Sequence, residues 1–176
     1  MNMVGLLARR IFGLGAGLSM ALVFAIIFIN SLRRYTVGSS VAWGEELPIY
    51  LTIYGVMFGC ALAYLQDRHI RFTILTDLLR PGIRDRLFAG VDLLTIAAGI
   101  GLMLSGHDFA SRRGHIAASG LRSLGQSLAE TTGIEALEGL ARIGTWQFAM
   151  TLGGAMLALA ALIRFSERLT GDKTVA

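Results

Sequence analysis

Four long stretches of this chain carry almost no charge, and they decide the solvent in which it folds: Ile11 to Leu32, Leu47 to Leu65, Leu87 to Gly106 and Trp146 to Ile163. Each is close to the roughly 17 to 25 residues a helix needs to cross a hydrocarbon core of about 30 Å. Asp92 is the only charged residue inside any of them. With 176 residues, 54% hydrophobic and 16% charged, the chain is too apolar for a soluble domain and too short for more than one membrane module. The expected fold is an all-α integral membrane protein, a single membrane domain over residues 1–176 with four transmembrane helices.

The sixteen Lys and Arg outnumber the twelve Asp and Glu, but no nucleic-acid partner follows. The arginines stand as short clusters beside the apolar runs rather than along one face of a soluble domain, which is the signature of membrane topology. The connection between the second and third spans is short and dense in them: Arg68, Arg71, Arg80, Arg84 and Arg86. The positive-inside rule therefore places that connection and both termini in the cytoplasm, with the first and third loops outside, although Arg33 and Arg34 run against the trend. The leading "ARRIFGLG" resembles a twin-arginine export signal, but its uncharged run of 22 residues exceeds the roughly 7 to 15 of a signal peptide. It is read as an uncleaved first helix.

Between the second and third spans, Ile70, Ile74, Leu75, Leu78 and Leu79 fall near one helical face, with Arg71, Thr73, Asp77 and Arg80 off it. This predicts an amphipathic interfacial helix over about 70–80, its arginines near lipid headgroups. Residues 107–145 are expected to form a partly helical external loop, with a weak helical pattern over about 134–143. At the start of the second span stands "WGEELPIY", where Glu45 and Glu46 meet the positive end of a helix dipole and Trp43 suits the interface. Pro48 is tolerable if that helix begins near Glu46 or Leu47, and should bend it if the helix begins near Ser40.

Small residues recur every fourth position: Gly13, Gly17, Ala21 and Ala25; Gly55, Gly59 and Ala63; Ala97, Gly101 and Ser105; Gly154 and Ala158. Each set offers a stripe along which another helix can approach, and together they exceed what one small bundle requires. Asp92, in the third span, is costly in lipid unless it is paired with another helix or subunit, or reaches the interface. Cys60 has no second cysteine to pair with. His69 and His107 fall at opposite ends of the membrane, and His115 brings no further ligands at metal spacing, so neither haem nor metal is expected. No nucleotide-binding loop or catalytic triad is present, and no enzymatic activity or cofactor is expected.

Taken in order, Trp43-Gly44-Glu45-Glu46-Leu47, the small-residue run Phe58 to Ala63, Arg68-His69-Ile70-Arg71 and Leu75-Thr76-Asp77-Leu78-Leu79 resemble the small membrane subunit (DctQ-like, or Q subunit) of tripartite ATP-independent periplasmic (TRAP) transporters. The resemblance implies a bacterial inner-membrane scaffold. Its partners would be a large multi-span permease subunit, which carries the substrate and sodium sites, and a periplasmic binding protein that delivers an organic acid such as a dicarboxylate or sialic acid. Membrane lipid is a further expected partner. The motif carries Trp43, Glu45, Glu46, His69 and Arg71 as partner-binding or structural residues, beside Asp92, Gly55 and Gly59 from the helix reading. Two alternatives are a four-span small subunit of a tripartite tricarboxylate transporter, against which the acidic pair speaks, and a haem or quinone anchor of a respiratory complex. The long third loop departs from the shorter, often proline-containing connection expected of the family.

Overall fold

The computed structural model describes residues 3–66 and 80–169. The interfacial helix expected over 70–80 lies, but for Arg80, outside those residues, as do His69 and Arg71. Among the described residues the chain is helical: α1 Met3–Val37, α2 Trp43–Leu65, α3 Pro81–Arg113, α4 Arg122–Thr132, a 3₁₀ segment Glu135–Ala141, and α5 Ile143–Leu169. Four of these, α1, α2, α3 and α5, are long and apolar enough to cross a membrane.

The helices overrun the apolar windows because hydrogen bonding of the backbone continues into polar flanks. At about 1.5 Å per residue, the 35 residues of α1 and 33 of α3 reach roughly 50 Å, well past a core of about 30 Å. Pro81 opens α3, where its missing N–H is no loss, so the third helix starts before Leu87 and ends beyond Gly106. The external loop thus shrinks to 114–142. Its regular helix is α4, preceding the stretch over 134–143 where the sequence pattern pointed, and that stretch forms mainly the tighter 3₁₀ turns. Two glycines at positive φ close helices here: Gly38 (φ 76°) follows α1, and Gly133 (φ 70°) ends α4 with its N–H on the Ala129 carbonyl at 2.8 Å.

The spanning helices stand in the order α1, α2, α5, α3. α1 leans on α2, α2 on α5 and α5 on α3, while α3 packs extensively against neither α1 nor α2. This is an open row rather than a closed bundle. α5 is its centre: 44% of its most apolar stretch is buried, against 11–17% for the other three. Gly153 and Gly154 serve opposite neighbours. A Cβ on Gly153 would strike the Met57 side chain of α2, and one on Gly154 would strike the Met103 backbone of α3. A Cβ on Gly99 would likewise lie 2.7 Å from the Ala158 nitrogen. In lipid such close backbone approach replaces hydrophobic burial as the driving force for helix association. The core proper gathers Ala8, Phe12, Ala61, Leu65, Met156, Ala160 and Ile163 where α1, α2 and α5 converge.

Candidate functional site

Two polar clusters hold the row together, one toward each end, and the faces they leave open are the candidate site. Toward the end where α2 terminates, Asp92 is only 2% exposed. Its carboxylate accepts hydrogen bonds from Tyr64 Oη at 2.6 Å and Arg168 Nε at 2.7 Å, tying α3 to α2 and α5. The Arg168 guanidinium also lies 5.0 Å from the Phe88 ring centroid, a cation–π contact that covers it from the side. Arg9 reaches from α1 to donate to the Leu65 carbonyl at 3.0 Å, satisfying one of the acceptors left over where α2 ends. The partners of Asp92 seen here come from within the chain, Tyr64 of α2 and Arg168 of α5.

At the other end the acidic pair divides its work. Glu45 is exposed and accepts the Ser40 hydroxyl at 2.7 Å. Glu46 turns inward: its Oε2 accepts the Gly120 N–H at 2.6 Å and its Oε1 the Tyr50 hydroxyl at 3.2 Å. The external loop is thereby clipped to α2. Tyr50 stacks on Trp146 at 5.5 Å, Tyr54 meets the same ring edge-on at 6.4 Å, and Trp146 Nε1 donates to the Leu140 carbonyl at 2.8 Å. Tyr50, Tyr54, Trp146 and Gly120 were not singled out in the sequence. The spacing 46, 50, 54 along one helical face was the available signal.

α2 begins at Trp43, so Pro48 sits inside the helix, later than a first-turn position. The Gly44 carbonyl consequently lacks the N–H it would otherwise receive. Gly55 packs on Ser19 and Met20 of α1, whereas Gly59 has nothing within 4 Å of its Cβ position. The every-fourth stripes also divide. Gly154 and Ala158 are buried, but Gly17, Ala21 and Ala25 of α1 and Ala97, Gly101 and Ser105 of α3 are exposed. α1 instead packs through Gly5, Ala8, Phe12 and Ser19, and α3 through Gly99 and Gly106. The two outer helices of the row therefore present small-residue faces that the described residues leave uncovered.

The sequence profile of the DctQ component of tripartite ATP-independent periplasmic transporters matches residues 23–171, nearly the whole of this architecture. The chain belongs to the DctQ family. A TRAP transporter small permease protein of Haemophilus influenzae is 32% identical over 62 residues, 35% of this chain and 38% of the relative. The sialic acid TRAP transporter small permease protein SiaQ of Vibrio cholerae is 25% identical over 93 residues, 53% of this chain and 54% of the relative. The chain thus spans about a third to a half of the length of these curated relatives. The DctQ family is a component of tripartite ATP-independent periplasmic transporters rather than a family of enzymes, and four helices of this chain are long and apolar enough to cross a membrane.

Proposed function

We propose that this DctQ-family chain is the scaffold subunit of a TRAP transporter, binding the large permease subunit and holding its static part in the bilayer while a periplasmic binding protein delivers the substrate. The observation that carries the reading is the open row. Among the described residues α1 and α3 each have one main partner helix, and each exposes small residues, Gly17-Ala21-Ala25 and Ala97-Gly101-Ser105, on which a helix of another subunit can pack closely. Internal cohesion is supplied elsewhere, by the Asp92–Arg168 pair and the Glu46–Gly120 clip.

The transported substrate on this reading is an organic acid, a dicarboxylate or a sialic-acid-like compound, in keeping with the relative named for sialic acid. Sodium coupling resides in the permease subunit. The setting is a bacterial inner membrane, with both termini cytoplasmic and the α4 loop periplasmic, as the arginine distribution suggests. Trp43 stands at the end of α2 beside the 38–42 turn and is assigned to contact with the large permease, and His69 and Arg71 are assigned to the cytoplasmic connection. Co-expression with the large permease tests the proposal. The two should purify as a complex, and Ala97→Leu with Gly101→Leu should lower its recovery at least tenfold without lowering the amount of folded small subunit. Undiminished recovery, or organic-acid uptake by the small subunit alone, would reject the scaffold role.

A further inference from the structure

Between α1 and α2, at the end that carries the 38–42 turn, lies an open groove of about 520 Å³. Its lining has two chemistries. Ile27, Pro48 and Ile49 give an apolar wall, and Asn30, Arg34 and Glu45 a polar rim. The rim sits at headgroup level, since Arg34 follows the 22-residue uncharged run of α1 and Glu45 precedes that of α2.

The groove is held in shape by protein contacts that leave other polar atoms open. Asn30 Oδ1 accepts the Val41 N–H at 2.8 Å, fixing the turn. Asn30 can sit there because residue 44 is glycine, whose added Cβ would lie 2.8 Å from Asn30 Cγ. That leaves the Asn30 amide NH₂ without a protein acceptor among the described residues. Glu45 gives one carboxylate oxygen to Ser40 and keeps the other open. Arg34 and Glu45 line the same groove, yet among the described residues neither makes an ion pair. One cation, one carboxylate oxygen and one amide donor therefore border an apolar channel at headgroup depth.

We propose that this groove binds a phospholipid whose headgroup carries both a phosphate and a primary ammonium, an ethanolamine phospholipid. Arg34 and the Asn30 amide donate to the phosphate, the free Glu45 oxygen accepts from the ammonium, and an acyl chain lies along Ile27 and Ile49. The charges select the class. An anionic glycerol headgroup has no cation for Glu45, and a choline headgroup has no N–H to donate to it.

The test is native mass spectrometry of the full chain, purified with any membrane partner that accompanies it and offered ethanolamine, choline and glycerol phospholipids of matched acyl chains. The ethanolamine lipid should be retained at least tenfold over the other two. Arg34→Ala should abolish retention, and Glu45→Ala should remove the preference for ethanolamine over choline, with thermal unfolding verifying that both variants are folded. Equal retention of the three lipids, or unchanged retention by folded Arg34→Ala, overturns the proposal. A photo-reactive phenylalanine analogue in place of Ile49, activated in cells, should form a lipid adduct. An adduct with another protein instead would make the groove a subunit contact and overturn the lipid assignment.

Discussion

Arg168 Nε lies 2.7 Å from Asp92 Oδ2, joining residues 76 positions apart in the chain. The carboxylate is almost wholly covered, at 3% side-chain exposure, and the guanidinium is partly covered, at 26%. The asymmetry determines which partner can be lost more cheaply. Arg168 retains the Phe88 ring and some access to the interface, whereas among the described residues Asp92 without Arg168 has only the Tyr64 hydroxyl to offset its desolvation.

Arg168→Leu is therefore expected to destabilise the protein more than Asp92→Asn, because removing one partner of a buried ion pair costs about 3 to 5 kcal/mol and Asn keeps an acceptor for Tyr64. The double variant Asp92→Leu/Arg168→Leu should recover part of the loss, since it leaves no buried charge unpaired. Thermal unfolding in mild detergent measures these three and the single Asp92→Leu, which completes the cycle. Strict additivity of the two leucine substitutions would show that the pair does not couple.

The Glu46 clip makes a graded prediction. Glu46→Ala leaves the Gly120 N–H without its acceptor, and a hydrogen bond to a charged group contributes about 1.5 to 3 kcal/mol. Amide exchange at Gly120 should accelerate by roughly tenfold to a hundredfold, with a smaller change in Glu46→Gln, whose amide oxygen still accepts. Equal exchange in wild type and Glu46→Ala would mean that the loop is held by the Tyr50, Tyr54 and Trp146 contacts alone.

Two glycines two residues apart should respond in opposite ways. Gly99→Ala drives a methyl group to 2.7 Å from the Ala158 nitrogen and 3.0 Å from its Cα, backbone atoms that cannot yield without parting α3 from α5. Gly101→Ala meets nothing within 4 Å and gains about 1 kcal/mol in helix propensity. A lower unfolding temperature for Gly99→Ala beside an unchanged or higher one for Gly101→Ala supports the observed crossing; similar losses in both would contradict it.

Topology is checked with reporters. A fusion near Arg84 should read cytoplasmic, and one in the 38–42 turn periplasmic; a periplasmic signal near Arg84 inverts the orientation proposed here.

The exposed stripes explain why part of the packing escaped the sequence. Stepping four residues advances about 400° around a helix of 3.6 residues per turn, so an every-fourth stripe drifts by about 40° at each step. The buried set on α1, Gly5, Ala8, Phe12 and Ser19 with Gly15 against Phe58, alternates steps of three and four and so stays on one side of the helix. Both sets are present in the same helix and equally rich in small residues. Periodicity alone does not say which one meets α2. Glu46 shows the same limit: an acidic residue in the first turn of a helix is explained by the dipole, and its bond to Gly120 spans 74 positions.

The sequence by itself determined the solvent, the four spanning segments and the family, because hydrocarbon demands long uncharged runs with all backbone groups satisfied internally and because the ordered motifs from Trp43 to Leu79 can be read directly along the chain. The tertiary structure alone decided the neighbours: the order α1, α2, α5, α3, the pairing of Asp92 with Arg168, the inward turn of Glu46 and the outward face of Gly101. Those are long-range contacts between helices that are similar in composition. In a bilayer, where apolar burial favours no one partner over another, close backbone approach and a few polar bonds choose among them.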